Sequence, residues 1–362
     1  MRNVLQQAMV LLITLALLAS SIQVQVANSA SGEAPLLLID NAHGNYAVSA
    51  ESLRNFTSLL ENLEVNYMVL NGTLSEGILN QTDVFVVLNP IAPFSNTEVQ
   101  LLESWVRSGG KLIVSAYAER PDSTSILNSL LSSAGSKLRF EFGIVEDPMF
   151  EPMKGCLCTP IINHAELAAR FNFTRNVRML YFFKPVPLLA NSSLGTHPPH
   201  ESPYSNVFWI SKSSSNATFR AFPGYFNETL YYHEGNVCSF SLAAVELLGQ
   251  GLVVGLSSPL LLDIEGLMTY HGAAWYNDNA VFVRNLLLDI LGLEKSVEVE
   301  PLRYLIKVEN KKVLVDAIHN QTGLSRELLS GFEQLLSDLG FSMKVASSGS
   351  ITEDILRGVD IY

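Results

Sequence analysis

The feature that most constrains this 362-residue chain is a long internal repeat. The segment LLLIDNAHGN around Asp40 returns around Asp316 as KVLVDAIHNQ, and each is followed by apolar residues at helical spacing. One fixed offset, without a gap, aligns Leu38, Asp40, His43, Ser49, Glu51, Leu53, Phe56, Leu59, Leu60, Leu63 and Val69 with Leu314, Asp316, His319, Ser325, Glu327, Leu329, Phe332, Leu335, Leu336, Leu339 and Val345. A repeat of this period means that one supersecondary unit is used twice.

Apolar runs alternate with helical patterns through the first copy. Residues 35–40, 65–70, 83–88 and 111–115 are short apolar runs that predict buried parallel strands. Residues 49–63 and 74–80 have helical spacing, and Ser95 with Glu98 forms a capping box that begins a further helix, ended by Gly109 and Gly110. Strands that alternate with helices predict an α/β fold with a doubly wound, flavodoxin-like parallel sheet.

The centre of the chain differs in composition. Residues 140–240 are rich in proline, serine, asparagine and aromatic residues, and VFWIS and ATFRAF predict short strands between long loops. After this region, SLAAVELLG predicts a helix, GLVVGLSS a buried strand, and residues 279–293 an amphipathic helix. We expect an α/β domain over residues 34–296 with an insertion at 140–240. A linker and the truncated start of a second domain follow over residues 297–362, so we expect a fragment of a longer protein.

The N-terminus has the pattern of a secretory signal. Arg2 precedes the apolar run AMVLLITLALLAS, which is short for a membrane span of about 20 residues. Small residues near Ala19 and Ala30 are candidate cleavage sites, and the alternative is an uncleaved anchor over residues 1–30. We expect an extracellular or cell-surface protein, with membrane association through this segment or through an anchor beyond Tyr362.

Composition and export bear on partners and modifications. The net charge of −12 and the lack of a basic run argue against a nucleic-acid partner. Eight Asn-x-Ser/Thr sequons agree with export, and they begin at Asn55, Asn71, Asn80, Asn172, Asn191, Asn216, Asn227 and Asn320. In an oxidising compartment, Cys238 is expected to pair with Cys156 or Cys158, because a bond between the latter two would close a small, strained ring.

The first copy resembles a known superfamily over residues 35–115 and 249–293. It is similar to the class I glutamine amidotransferase-like superfamily, in the exported branch related to the auxiliary component of gliding-motility ABC transporters, through LLLIDNAHG, DVFVVLNP, FSNTEVQLLESWVRSGGKLIVSA, GQGLVVGLSS and DNAVFVRNLLLDILG. Active members place a nucleophilic cysteine on a strained, glycine-flanked turn after the strand that matches 111–115, and they have a late His-x-Glu pair. The stretch KLIVSAYAE has neither cysteine nor glycine, and its nearest positions are Ser115 and Ala116. The resemblance therefore implies the fold without the nucleophile.

Asp40 and His43 are the main candidates for ligand binding. They follow the first predicted strand at its carboxyl end, where open α/β sheets bind ligands. Such a pair can bind a metal or act as acid and base, or Asp40 can cap the loop with His43 packed beside it. His271 and Asp278 precede the last predicted helix and are expected near the same edge of the sheet.

Weaker candidates follow from residue type alone. They are Ser115 as a nucleophile with a histidine base, His197 and His200 as metal ligands, and Tyr270, Trp275 and Tyr276 as sugar-stacking residues. We expect no cofactor and no metal.

The signal pattern, the duplicated unit and the missing nucleophile predict a non-catalytic binding or scaffold protein of the cell surface or envelope, and the resemblance implies association with a transporter. Its partner would be an envelope protein, a glycan or a small ligand. One alternative is a hydrolase, metal-assisted or amidase-like, with a rebuilt site around Asp40, His43 and His271. The other is a carbohydrate-binding module.

Overall fold

The computed structural model describes residues 34–45, 49, 52–118, 120–148, 156–160, 167, 170–192, 195–201, 206–259, 261, 278–293, 312–316 and 342–346. The chain divides into two compact units, Met1–Lys295 and Ser296–Tyr362. The predicted signal segment, His271, the aromatic residues 270, 275 and 276, and the sequon at Asn320 lie outside the described residues.

The first unit is built from fourteen strands and five helices among its described residues. The strands are β1 (Leu36–Asp40), β2 (Asn66–Leu70), β3 (Val84–Leu88), β4 (Lys111–Ser115), β5 (Leu138–Phe140), β6 (Gly143–Glu146), β7 (Cys156–Pro160), β8 (Met179–Phe183), β9 (Leu188–Ser192), β10 (Gly195–His197), β11 (Val207–Lys212), β12 (Thr218–Ala221), β13 (Ser241–Leu248) and β14 (Gly251–Leu256). The helices are α1 (Arg54–Asn62), α2 (Glu76–Leu79), α3 (Asn96–Arg107), α4 (Pro121–Ser133) and α5 (Asn279–Ile290), with a 3₁₀ turn at Pro199–Glu201.

Ten of these strands form one sheet. Its order is β10-β9-β13-β14-β4-β3-β1-β2, with β11 beside β13 and β5 beside β9. The pairs from β14 to β2 are all parallel, and β13 joins β14 antiparallel. The parallel order β2-β1-β3-β4-β14 is that of flavodoxin-like sheets. The predicted α/β fold with a doubly wound parallel sheet is confirmed.

The parallel strands lie between two apolar cores because each strand is apolar on both faces. On one face, Leu37 shares a core with Phe56 of α1 and Phe282 of α5. On the other face, Leu38 shares a core with Leu102 of α3. All five residues of β3 are buried, which explains why its sequence is a continuous apolar run rather than an alternating one.

The insertion extends the sheet with antiparallel strands. VFWIS and ATFRAF lie in β11 and β12, and two small sheets pair β12 with β6 and β7 with β8. Helix α4, which begins with Pro121, was not predicted, because its serine-rich sequence has a weak apolar pattern.

One predicted element is wrong. SLAAVELLG was predicted to be a helix, but Ser241–Leu248 is strand β13, paired with β14 on one side and β11 on the other. All but one of its residues are buried. A strand buried on both faces has no polar alternation, so its apolar run cannot be distinguished from a buried helix by periodicity.

The second unit repeats the strand pairing of the first. Strand β15 (Lys312–Asp316) pairs parallel with β16 (Ser342–Ala346), and Asp316 lies opposite Ala346. In the first unit, Asp40 lies opposite Leu70 in the same way. Both pairs therefore have the register that the gapless alignment of the repeat requires.

Among the described residues, none of the helices has the length and apolarity that a membrane crossing requires.

Replacement of Gly251 by alanine should destabilise the first unit. A methyl group at Gly251 would collide with the carbonyl oxygens of Val106 and Gly110, both backbone atoms at the end of α3. We expect the free energy of unfolding in urea to fall by about 1–3 kcal/mol, as overpacked sites do. The matched control is Gly77→Ala in α2, where an added methyl group meets open space. Equal midpoints for the two variants would contradict the close contact at Gly251.

Candidate functional site

Asp40 organises the loop that follows β1. Its side chain is fully buried, and Oδ1 accepts the backbone N–H of Ala42 at 3.2 Å. The amide of Asn45 donates to Oδ2 at 3.2 Å and also to the Asp40 carbonyl oxygen. His43 Nδ1 lies 3.0 Å from Oδ1 and 3.1 Å from Oδ2. Asp40 thus caps its own loop and holds the imidazole in place.

The imidazole of His43 lies between two carboxylates. Its Nδ1 faces Asp40, and its Nε2 is 3.5 Å from Oε2 of Glu98 in α3. The ring stacks on Phe94 with centroids 3.6 Å apart and planes inclined by 22°. Only 5% of His43 is exposed. Both ring nitrogens therefore face protein groups in a site closed to solvent.

Glu98 joins this site to the helix cap. Its Oε2 accepts the Ser95 hydroxyl at 2.7 Å and the Ser95 N–H at 2.9 Å, which completes the predicted capping box. Its Oε1 accepts the N–H of Leu74, at 3.1 Å, from the loop after β2. One carboxylate therefore ties the loop after β2 to the start of α3 and to His43.

The charges of the site shift two pKa values. Burial opposes the charged imidazole, but the hydrogen bond to Asp40 and the charges of Asp40 and Glu98 outweigh it, so the pKa of His43 is raised. Burial also opposes ionisation of Glu98, but the hydrogen bonds from Ser95 and Leu74 and the charge of His43 outweigh it, so the pKa of Glu98 is lowered. Both shifts favour an imidazolium between carboxylates.

The loops after β1 and β3 are bonded directly to each other. The N–H groups of Ile91 and Ala92 donate to the carbonyl oxygen of His43 at 3.0 and 2.9 Å. A methyl group on Gly44, which has φ +64°, would lie 2.8 Å from Ile91 Cγ1. Strands β1 and β3 flank the point where the strand order reverses, and open α/β sheets bind ligands in the crevice there. The loop of His43 and the Phe94 ring stacked on it lie at that point here.

A second group of polar side chains lies further along the same edge. Asn89, Ser115 and Ser257 end or follow the neighbouring strands β3, β4 and β14, and all three are fully buried. Ser123 and Thr124 lie in the first turn of α4 and are also fully buried. Within the described part of the chain, both amide atoms of Asn89 and the four hydroxyl groups lack hydrogen-bond partners. Buried groups of this kind normally bind water or a polar ligand; without a partner, their removal from water destabilises the folded state.

The predicted candidates separate into different places. Asp40 and His43 come together, whereas Asp278 lies before α5 and accepts the Arg178 N–H at 2.7 Å. Ser115 is the last residue of β4, and among described residues 115–118 no backbone has the left-handed φ that a strained nucleophile turn would show. Whether His271 joins Asp40 and His43 stays a prediction.

The two histidines of the insertion have different partners. His200 Nδ1 is 2.7 Å from the Ser241 hydroxyl, and burial, with a smaller effect of Lys212, lowers the pKa of His200 to about 4. The His197 ring packs against Tyr231 with centroids 5.8 Å apart. Among the described residues, no group of three or more potential metal ligands is found.

The predicted modifications lie mainly on the surface. The described sequon asparagines are exposed except Asn55, which is half-buried. Cys238 is half-buried, and the side chains of Cys156 and Cys158 lie outside what the structure describes, so the disulfide stays a prediction.

Sequence reasoning missed the residues that close the site. Glu98 was recognised only as part of a capping box, and Phe94 and Asn45 were not singled out. Asn89 has φ +51° at the end of β3, and the Asn-Pro pair after an apolar run was its only signal in the sequence.

No protein-family model matches the chain, and no curated protein matches it in sequence. Among solved structures, the mmIFT52 N-terminal domain is similar with a TM-score of 0.51 and 12% identity, over 73% of this chain and 100% of that one. The carbohydrate deacetylase Agd3 has a TM-score of 0.40 and 10% identity, over 86% of this chain and 42% of that one. A ThuA-like protein from Parabacteroides merdae has a TM-score of 0.35 and 11% identity, over 74% of this chain and 94% of that one. At these identities the first likeness shows a shared fold and nothing about activity.

The charged site predicts a pH-dependent contribution to stability. Because the pKa of His43 is higher in the folded state than in the unfolded chain, its contribution is full below the ordinary imidazole pKa of about 6.5 and is lost as pH rises through the folded pKa. We expect the difference in unfolding free energy between the wild type and His43→Gln to shrink from about pH 6 to pH 9. Urea titrations at several pH values measure this difference. The contributions of other titrating groups, such as His200, are the same in both proteins and cancel. A constant difference would refute a buried imidazolium.

Replacement of Ser115 by alanine should not cost stability. Its buried hydroxyl has no partner in the described part of the chain, so its removal should raise the free energy of unfolding by about 1 kcal/mol. The matched control is Ser213→Ala, which removes an acceptor for the Phe240 N–H at 2.9 Å and should cost about 1 kcal/mol. A loss for Ser115→Ala of the same size would show that water or a bound molecule occupies this edge.

Proposed function

We propose that this chain is an exported, non-catalytic binding or scaffold protein of the cell surface or envelope, built on degenerate amidotransferase-like units. The observation that carries the proposal is the closed environment of His43. Its two ring nitrogens face Asp40 and Glu98, and its pKa is raised. A general base must reach a substrate proton, and both nitrogens of this buried imidazole already face carboxylates of the protein.

The place of the missing nucleophile supports the same view. Ser115 stands at the end of β4, where the resemblance expects a cysteine, and its hydroxyl has no hydrogen-bond partner in the described residues. A serine nucleophile needs an adjacent base, because its free hydroxyl is a weak nucleophile. The described contacts of Ser115 supply none.

Export is supported by the N-terminal signal pattern and by the surface positions of the sequons. Six of the seven described sequon asparagines are exposed, which is where a glycan has room. The expected partners of such a protein are other membrane-anchored proteins, including a transporter.

A small polar ligand has one suitable place in the described fold. Asn89, Ser115 and Ser257 end three adjacent strands, and Ser123 and Thr124 begin α4, with hydroxyl and amide groups that need partners. These groups can donate and accept hydrogen bonds but bring no charge, which fits recognition rather than acid–base catalysis.

A turnover assay tests the proposal directly. The wild type, Ser115→Ala and His43→Gln should hydrolyse p-nitrophenyl esters and amino-acid anilides at the same rate as buffer, with Ser213→Ala as a control for folding. General acid–base catalysis contributes about 10²–10⁴-fold, so an active site would be visible. Turnover by the wild type that falls about 100-fold or more in either variant, with an unchanged circular dichroism spectrum, would establish the hydrolase instead.

A further inference from the structure

Three large apolar side chains that lie close together in the sequence face solvent in the insertion. Phe226, Leu230 and Tyr231 are 56%, 43% and 38% exposed, and they lie within one six-residue stretch, here called the 226–231 patch. Only four other large apolar side chains of the described residues are as exposed, and they are Tyr67, Met68, Ile91 and Val237. Clustered apolar exposure of this kind marks a surface that something covers.

Hydrogen bonds attach both ends of this stretch to neighbouring residues of the unit. The fully buried carboxylate of Glu141 accepts the N–H groups of Leu230 at 2.7 Å and Tyr231 at 2.8 Å. On the other side, the Tyr225 hydroxyl donates to Asp122 Oδ1 at 2.7 Å. The stretch is therefore attached to the rest of the unit at both ends, at one end through its backbone and at the other through the side chain of Tyr225.

A sequon asparagine lies inside the patch. The Glu228 N–H donates to the Tyr225 carbonyl oxygen at 3.0 Å, so Phe226 and Asn227 are the central residues of a turn. Asn227 is exposed, and within the described residues its amide has no hydrogen-bond partner. By contrast, the amide of Asn172 donates to Asp289, and that of Asn71 donates to the Val69 carbonyl oxygen. Asn227 is therefore an accessible acceptor.

We propose that Asn227 carries an N-linked glycan whose first sugars cover the 226–231 patch, an inference that rests on the proposed export. Attachment forms a bond from Asn227 Nδ2 to C1 of a sugar while the bond from C1 to a lipid-linked pyrophosphate breaks. The amide loses a proton, and the pyrophosphate leaves with the lipid. The C–H face of a pyranose ring then packs on Phe226 and Tyr231, and its hydroxyl groups face water. The glycan thus removes apolar area from solvent, which stabilises the folded state.

The test uses the full chain secreted from a host that N-glycosylates. Peptide mass spectrometry should find glycan on Asn227. Asn227→Gln and Thr229→Ala, which remove the same sequon by different changes, should lower Tm by about 2–4 °C and increase binding of a hydrophobic dye. Thr229→Ser, which keeps the sequon, should match the wild type. Asn80→Gln removes an exposed sequon whose chain neighbours include no exposed large apolar residue, and it should change neither reading.

The outcomes separate the two proposals. Glycan on Asn227 without a difference between Asn227→Gln and Asn80→Gln overturns the covered patch and leaves export intact. Glycan on other sequons but not on Asn227 does the same. Absence of glycan from every sequon overturns both the covered patch and the glycosylated, exported protein.

Discussion

The carboxyl edge of the sheet depends on one buried contact, in which the imidazole of His43 lies between the side chains of Asp40 and Glu98. Three segments meet at this edge, and each contributes one part of the contact: Asp40 is the last residue of β1, Leu74 lies in the loop after β2, and Glu98 lies in the first turn of α3. A buried ion pair is poor evidence of net stability, since removing charges from water is costly. Its effect here is to hold the loops in one arrangement, because any other would leave buried polar groups of His43 and Glu98 without partners.

This arrangement determines what the loops after β1 and β3 present at the carboxyl edge of the sheet. Doubly wound sheets leave a crevice where the strand order reverses, and the polar groups of the neighbouring loops normally face a ligand there. In this chain those groups face each other, and the Phe94 ring covers the imidazole. The polar groups that lack hydrogen-bond partners in the described residues are instead the buried, uncharged hydroxyl and amide groups at the ends of β3, β4 and β14 and at the start of α4.

The sequence was sufficient to predict the strands whose burial leaves a clear apolar pattern. Strands β3 and β4 were predicted within one residue, because each is an apolar run bounded by Asp83 or by Gly110. Strand β13 was misassigned because burial on both faces removes the alternation that distinguishes a strand from a helix. The Asp40–His43 pair could be predicted because it lies within four residues. Its contact with Glu98 could not, since it requires knowing how closely two loops approach.

The equal registers of β1 with β2 and of β15 with β16 have a consequence for how such a chain folds. Because the two registers are equal, an exchange of strands between the copies would leave the backbone hydrogen-bond pattern unchanged. Exchange of equivalent segments between domains is a characteristic misfolding route of multidomain and repeat proteins. Copies that keep the same strand register therefore carry a risk of misassembly, because an exchanged strand would meet its neighbour in the correct hydrogen-bonding frame.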